Sequence, residues 1–282
     1  MTTDQTRLIG VIAYPAGPNP EHDLLSRWVD QVGVDASVHL FPFPVKEIAD
    51  PIGALRMLGA SGAYLSGRHR EAGGGLVDYL TDEAHGSGVI NTIVFDGDEA
   101  RGHNTEARAI IDLLDPHKES FVRRSAVILG NGMMARAVAY ALIRHFRIRH
   151  VAIAARDPQG AQLLKSAVVS PTIDSVVETH ELFPPDIVDL LAEARLIVNA
   201  TSIGGRPGSD DTPITIPDIF RPGQIIVDVV RNAEGTQLLR DASAAGATVI
   251  DGEAVFRRQL ADAFTLLTGS EVDVSELLKR SE

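Results

Sequence analysis

Residues Ser125 to Arg156 carry the densest chemical signal in the chain. Ser125-Ala126-Val127-Ile128-Leu129 is an apolar run of strand length that ends in Gly130-Asn131-Gly132-Met133-Met134-Ala135, a Gly-x-Gly-x-x-Ala pattern. Apolar side chains then recur at helical spacing from Arg136 to Phe146. His150-Val151-Ala152-Ile153-Ala154-Ala155 is a second apolar run, closed by Arg156-Asp157. Glycine at 130 permits a tight strand-to-helix turn, and glycine at 132 leaves room for a pyrophosphate to approach the backbone. A helix starting at Met133 presents free N–H groups and a positive dipole end to that anion. The glycine pattern alone recurs by chance in structural turns. Flanked by two apolar strands at this distance, it is the fingerprint of a βαβ unit that binds a dinucleotide, with residues 130–135 as its contacts.

The end of the second strand decides which dinucleotide. Many NAD enzymes place an acidic residue there against the ribose 2′-OH, whereas NADP enzymes place arginine against the 2′-phosphate. Arg156 favours NADP through a charge-assisted contact. Asp157 repels the phosphate if it points inward, and otherwise caps the helix that follows Pro158. NADP is the expected cofactor, with NAD left open.

The surrounding elements follow from periodicity. Arg7 to Tyr14 reads as a buried strand, and Pro15-Ala16-Gly17-Pro18-Asn19-Pro20 as a loop, because three prolines in six residues fit neither helix nor ladder. Glu21 to Val32 has helical spacing in Leu24, Leu25, Trp28 and Val29. Strands are expected at Val38–Phe43, Gly62–Ser66 and Val89–Phe95, the last closed by a turn at Asp96-Gly97-Asp98. Helices are expected at Ile52–Leu58 and Thr105–Leu114, and Gly73-Gly74-Gly75 marks a mobile loop. Later strands at Leu196–Asn199, Ile225–Val230 and Thr248–Ile250 are short, apolar and separated by helical or loop segments, as a doubly wound parallel sheet requires. Glu253 to Leu278 is helical by spacing, with Val255, Phe256, Leu260, Phe264 and Leu267 on one face.

Composition bounds the partners. A chain of 282 residues suits two α/β domains, each with its own core. Without cysteine there is no disulfide, zinc–thiolate site or thiol nucleophile. A formal net charge of −12 argues against nucleic acid or an anionic membrane surface. No apolar run has membrane-spanning length, and Met1 to Gln5 is polar with no signal-peptide pattern, so the cytoplasm is the expected compartment. No His-x-x-x-His or Glu-x-x-His pair falls on a helix, so no metal site is expected.

Several segments together resemble the shikimate/quinate dehydrogenase family over nearly the whole chain. Gly88-Val89-Ile90-Asn91-Thr92 looks like that family's Gly-Ala-Val-Asn-Thr, and Gly102-His103-Asn104-Thr105-Glu106 its Gly-x-Asn-Thr-Asp. Asn199-Ala200-Thr201-Ser202-Ile203-Gly204 matches Asn-Ala-Thr-Ser-x-Gly. Asp228 through Thr236-Gln237-Leu238-Leu239 keeps the spacing of Asp-x-x-Tyr-x-Pro-x-x-Thr-x-Leu-Leu, and Gly252 to Gln259 matches Gly-x-x-Met-Leu-x-x-Gln. The family's NADP members read Asn-Arg-Thr where Ala155-Arg156-Asp157 stands.

The resemblance implies a substrate-binding α/β domain at 1–104, a Rossmann NAD(P)-binding domain at 105–252, and C-terminal helices at 253–282 returning to the substrate domain. The active site would lie in the cleft. Hydride would pass between the nicotinamide and a small hydroxylated or keto cyclohexane carboxylate, in a monomer or homodimer. Substrate contacts would come from Tyr64, Ser66, Asn91, Thr105, Arg231 and Gln259. Further cofactor contacts would come from Asn199, Ala200, Thr201, Val229 and Gly252.

The departures concern the chemistry itself. Where the family has Gly-x-Asn-Val-Thr-x-Pro-x-Lys, this chain reads Gly62-Ala63-Tyr64-Leu65-Ser66-Gly67-Arg68-His69-Arg70, so Arg70 replaces the catalytic lysine. Glu106 replaces the catalytic aspartate, and Arg231 a substrate-contacting tyrosine. The Ser-x-Ser that contacts the substrate carboxylate has no counterpart in Pro15 to His22. Arg70 can polarise a carbonyl oxygen but cannot give a proton and take it back, so Glu106 becomes the candidate general base. Two plainer roles stay open: a salt bridge between Arg70 and Glu106 in a weakened site, and turn-capping or helix-face hydrogen bonds for Asn91 and Gln259. His69 is expected at the rim, and His22 and His103 in loops. A dinucleotide-binding sensor with little turnover is the alternative to an enzyme.

Overall fold

The computed structural model describes residues 6–169, 174–183, 185, 187–270 and 276–277. The polar segment Met1 to Gln5, residues 271–275 and Leu278 of the expected final helix therefore lie outside the described residues. The chain divides into two compact units, Met1–Thr105 with Arg257–Glu282, and Glu106–Phe256.

The first unit is a six-stranded mixed sheet. Its strands are β1 (Arg7–Ala13), β2 (Ala36–Pro42), β3 (Gly62–Leu65), β4 (Tyr79–Leu80), β5 (Thr92–Asp96) and β6 (Glu99–His103), in the order β2-β1-β3-β5-β6-β4. The helices are α1 (Pro20–Val32), α2 (Ala49–Met57), α3 (His69–Ala72) and α4 (Asp82–Ser87). β1 pairs in parallel with β2 and β3, whereas β5 runs antiparallel to β3 and β6. Local chemistry sets the ends of α1. The Asn19 side chain accepts from His22 N–H at 2.7 Å, Pro20 occupies the first turn, and Gly33 closes the helix at φ 73°. Pro20 and His22 thus belong to the helix rather than to a loop. Proline fits there because the first helical N–H has no intrahelical partner to lose. One face of the sheet buries Ile12, Ala63, Leu65 and Ile93 against Ile52 and Leu55 of α2.

Helix α5 (Thr105–Leu114) leads on to the second unit, whose strands are β7 (Ser125–Leu129), β8 (His150–Ala155), β9 (Val176–Glu181), β10 (Leu196–Asn199), β11 (Ile225–Asp228) and β12 (Thr248–Ile250). All six are parallel, in the order β12-β11-β10-β7-β8-β9. This is the doubly wound Rossmann order, with its switch point between β7 and β10. Helices α6 (Met133–Tyr140), α7 (Pro158–Val168), α8 (Val188–Glu193) and α9 (Gln237–Ala244) complete it. Alternation along β7 sends Ala126 and Ile128 into one apolar layer and Val127 and Leu129 into the other, so the sheet is buried on both faces. α10 (Gly252–Thr268) starts in this unit and continues in the first, where Phe264 meets Trp28 edge to face at 6.0 Å. No helix among the described residues is long and apolar enough to cross a membrane.

Several expectations are corrected. Gly73–Leu76 is a 3-10 turn instead of an irregular loop, and Gly73 is buried where a Cβ would collide with Leu65. The fourth expected strand begins at Thr92. Residues 89–91 instead bridge their neighbours: Ile90 N–H donates to Arg70 O, Asn91 N–H donates to His103 O, and Leu65 N–H donates to Asn91 O. His103 closes β6 instead of lying in a loop, and the helix begun by α6 passes through a π turn at Ala141–His145.

Candidate functional site

In the second unit, the candidate cofactor residues gather at the carboxyl ends of β7, β8, β10 and β11. Gly130 follows β7 at φ 107°, and a Cβ there would stand 2.8 Å from Ala200 O. No L side chain suits that position, for conformation and for space. Gly132 caps the start of α6, and a Cβ on it would meet nothing within 4 Å. The loop is therefore narrow where it crosses β10 and open where α6 presents its first N–H groups, which include those of Met133 and Met134. Asn131 Nδ2 donates to Asp157 O at 3.4 Å, tying this loop to the next one. Ala135, in the first turn of α6, is buried.

At the end of β8, Arg156 is exposed, while Asp157 caps α7 by accepting from Gln159 N–H at 3.1 Å. The Asp157 carboxylate is thus engaged by its own helix. At the end of β10, Asn199 Oδ1 accepts from the N–H and hydroxyl of Thr201 at 3.1 and 2.7 Å, and Ala200 N–H donates to Leu129 O. Asn199 Nδ2 donates to Asp228 Oδ1 at 2.9 Å. Asp228 also accepts from Val230 N–H at 3.1 Å and from the Thr236 hydroxyl at 2.6 Å. Burial pushes the Asp228 carboxyl up to about 6, against the opposing pull of those three donors. Neither Asp228 nor Thr236 stands among the expected contacts, although Asp228 opens the quoted motif and Thr236 lies within it. The available signal was an acid ending the buried run Ile225-Ile226-Val227.

Val229 N–H donates to Asn199 O, and Gly252 packs so tightly on Val230 that a Cβ would overlap its carbonyl. Arg231 is engaged nearby: its Nε donates to Glu253 Oε2 at 3.0 Å and its guanidinium lies 3.6 Å from the Phe256 ring centroid. Glu106, in the first turn of α5, is fully buried.

In the first unit, Tyr64, Asn91, Thr105 and Gln259 are all buried. Asn91 binds Thr105 twice, accepting its N–H at 2.9 Å and donating to its hydroxyl at 2.8 Å. Gln259 Nε2 donates to the Tyr64 hydroxyl at 3.4 Å, while Gln259 Oε1 is buried with no hydrogen-bond partner among the described residues. The Ser66 hydroxyl donates to Glu21 Oε1 at 3.1 Å, across 45 residues of sequence. Arg70 is half-buried and its Nε donates to Gly67 O at 2.9 Å. His69 is buried instead of lying at a rim, with its ring nitrogens 3.0 Å from Ser66 O and 2.7 Å from Phe43 O. Both nitrogens are thus held by main chain. Burial, followed by the charge of Arg101, holds the His103 imidazole below its usual range against the opposing pull of Glu83. Among the described residues no group of three or more His, Asp or Glu side chains is placed to hold a metal.

No family model matches the chain. It is 31% identical over 254 residues to shikimate dehydrogenase (NADP+) of Chlorobaculum tepidum, covering 89% of this chain and 86% of the relative. It is 32% identical to the enzyme of the same name from Anaeromyxobacter dehalogenans, covering 100% of this chain and 99% of the relative. The structure of shikimate 5-dehydrogenase from Listeria monocytogenes, in complex with shikimate and NAD, superposes with a TM-score of 0.88 at 23% identity, covering 99% of this chain and 98% of that one. With identities above 30% over most of both chains, and with the glycine loop, Asn199 and Asp228 assembled at one sheet end, the chain belongs to the shikimate dehydrogenase family.

Proposed function

We propose that the chain is a dehydrogenase that transfers hydride between NADP(H) and a small hydroxylated or keto cyclohexane carboxylate. The observation that carries this is the glycine loop at the switch point of the second sheet, narrow at Gly130 and open at Gly132. The relatives named for NADP+ support the same cofactor. When bound, the nicotinamide supplies or takes up the hydride.

Residues 130–135 would hold the pyrophosphate by main-chain N–H groups, with Asn199, Ala200, Thr201, Val229 and Gly252 shaping the rest of the cofactor site. Arg156 would face the 2′-phosphate, and the capping role of Asp157 directs its carboxylate to α7. The first unit would hold the substrate. The orphaned Gln259 Oε1, a buried acceptor, suits a ring hydroxyl. Tyr64, Ser66, Asn91 and Thr105 offer further polar atoms. The ion pair of Arg231 with Glu253 leaves its guanidinium less free for a carboxylate than its position in the family motif implies.

Oxidation of a ring alcohol needs a group that accepts the hydroxyl proton. A guanidinium cannot accept one, so Arg70 can only polarise an oxygen by charge, and the buried carboxylate Glu106 is the candidate proton acceptor. The direct test uses NADPH carrying deuterium at C4 of the nicotinamide, in each stereochemical position, with a keto ring acid. One of the two labels should appear on the carbinol carbon of the product by mass spectrometry. Consumption of the ketone with neither label in the product would exclude hydride transfer.

A further inference from the structure

We propose that the amino-terminal edge of the second sheet carries a binding site for a small polyanion, a molecule bearing two or more phosphate or carboxylate groups. This edge is the end of the sheet remote from Gly130, separated from it by the length of β7. Five residues of strand place it on the order of 15 Å away. A cavity of about 530 Å³ opens where β7, β8 and β9 begin, and Arg123, Arg124, Arg221 and His150 line it. A second recess of about 470 Å³ shares Arg124 and Arg221 and adds Arg195. Both volumes lie in the range of small-molecule sites.

The state of these arginines argues for a ligand. The chain has 38 acidic residues against 26 lysines and arginines, and these arginines are gathered at two adjoining recesses. Yet among the described residues none of these four guanidinium groups makes a hydrogen bond or ion pair, and Arg195 Nε is buried without an acceptor. Arg123 is held at φ 57°, a conformation that costs a non-glycine residue free energy. Glu178 and Glu193 also line the cavity, although Glu178 lies 3.8 Å from His180. Their negative charge opposes any anion, so binding needs more than one guanidinium contact to offset it. A ligand with two or more oxyanion groups can engage two planar guanidinium forks together, each in bidentate geometry.

Calorimetric titration of the whole chain with tripolyphosphate, and separately with citrate, tests this. At least one probe should bind the unaltered chain and the Gly132→Val variant alike, with affinity falling as salt rises. Loss of two charge-assisted contacts in Arg124→Gln with Arg221→Gln should weaken that binding by about tenfold or more. The Arg124→Lys, Arg221→Lys variant, which keeps the charge without the fork, should fall between. Both positions are exposed, so thermal unfolding should be unchanged. Preference for tripolyphosphate would assign the site to phosphates, and preference for citrate to carboxylates. The proposal is overturned if neither probe binds, if the double glutamine variant binds as tightly as the parent, or if Gly132→Val alone abolishes binding.

Discussion

Asp228 shows what a single residue contributes at the end of β11. Its folded pKa stands above its ordinary value, so the folded chain binds this proton more readily than the unfolded one. The stability it contributes is full below the unfolded pKa of 3.8 and is lost as pH rises through about 6. Two pKa units correspond to about 3 kcal/mol. Relative to Asp228→Asn, the parent should therefore lose up to about 3 kcal/mol between acid and neutral pH, measured by denaturant unfolding across that range. A difference independent of pH would contradict the assignment. Arg156 lies at the same scale. A charge-assisted contact is worth roughly 1.5–3 kcal/mol, so Arg156→Ala should weaken NADP binding by about ten- to a hundred-fold and leave NAD binding nearly unchanged in calorimetry. Equal losses for both cofactors would place the selectivity elsewhere.

Among the elements, β7, the glycine loop and α6 carry the clearest prediction. Gly132→Val places a branched side chain in open space, so the fold should tolerate it while cofactor affinity drops by at least about tenfold. Gly130→Ala strains the backbone and crowds Ala200 O, so it should lower the unfolding midpoint as well. Calorimetry with thermal unfolding separates the two; unchanged affinity in Gly132→Val would remove the loop from the cofactor site. This unit was the most legible in the sequence, because buried parallel strands read as continuous apolar runs. Edge strand β9 was not, since Val176–Glu181 has the sequence Val-Val-Glu-Thr-His-Glu and is largely solvent-facing. β6 was missed for a related reason: only Ala100 and Gly102 are buried in it, and its place comes from pairing with β5. His69 reads as polar and therefore peripheral. Its burial depends on the carbonyls of Ser66 and Phe43, one of them 26 residues away, and no local pattern records that.

The whole molecule belongs to a dehydrogenase family, and the sequence resemblance would set Arg70 and Glu106 where that family has its lysine and aspartate. Glu21 accepts a hydrogen bond from Ser66, one of the proposed substrate contacts. Both features bear on how well shikimate itself is used. Arg70→Lys with Glu106→Asp should raise turnover of shikimate if proton handling is at fault; no change would place the difference in the pocket. Hydride transfer between NADP(H) and a ring acid is the central proposal. Its most direct test is the steady-state rate of the unaltered chain with NADP+ or NAD+ and a panel of ring hydroxy acids, followed by the absorbance of the reduced nicotinamide. Turnover of at least one ring acid, faster with NADP+ than with NAD+ and slow with shikimate, is the predicted result. Tight NADP+ binding without turnover of any ring acid would contradict it.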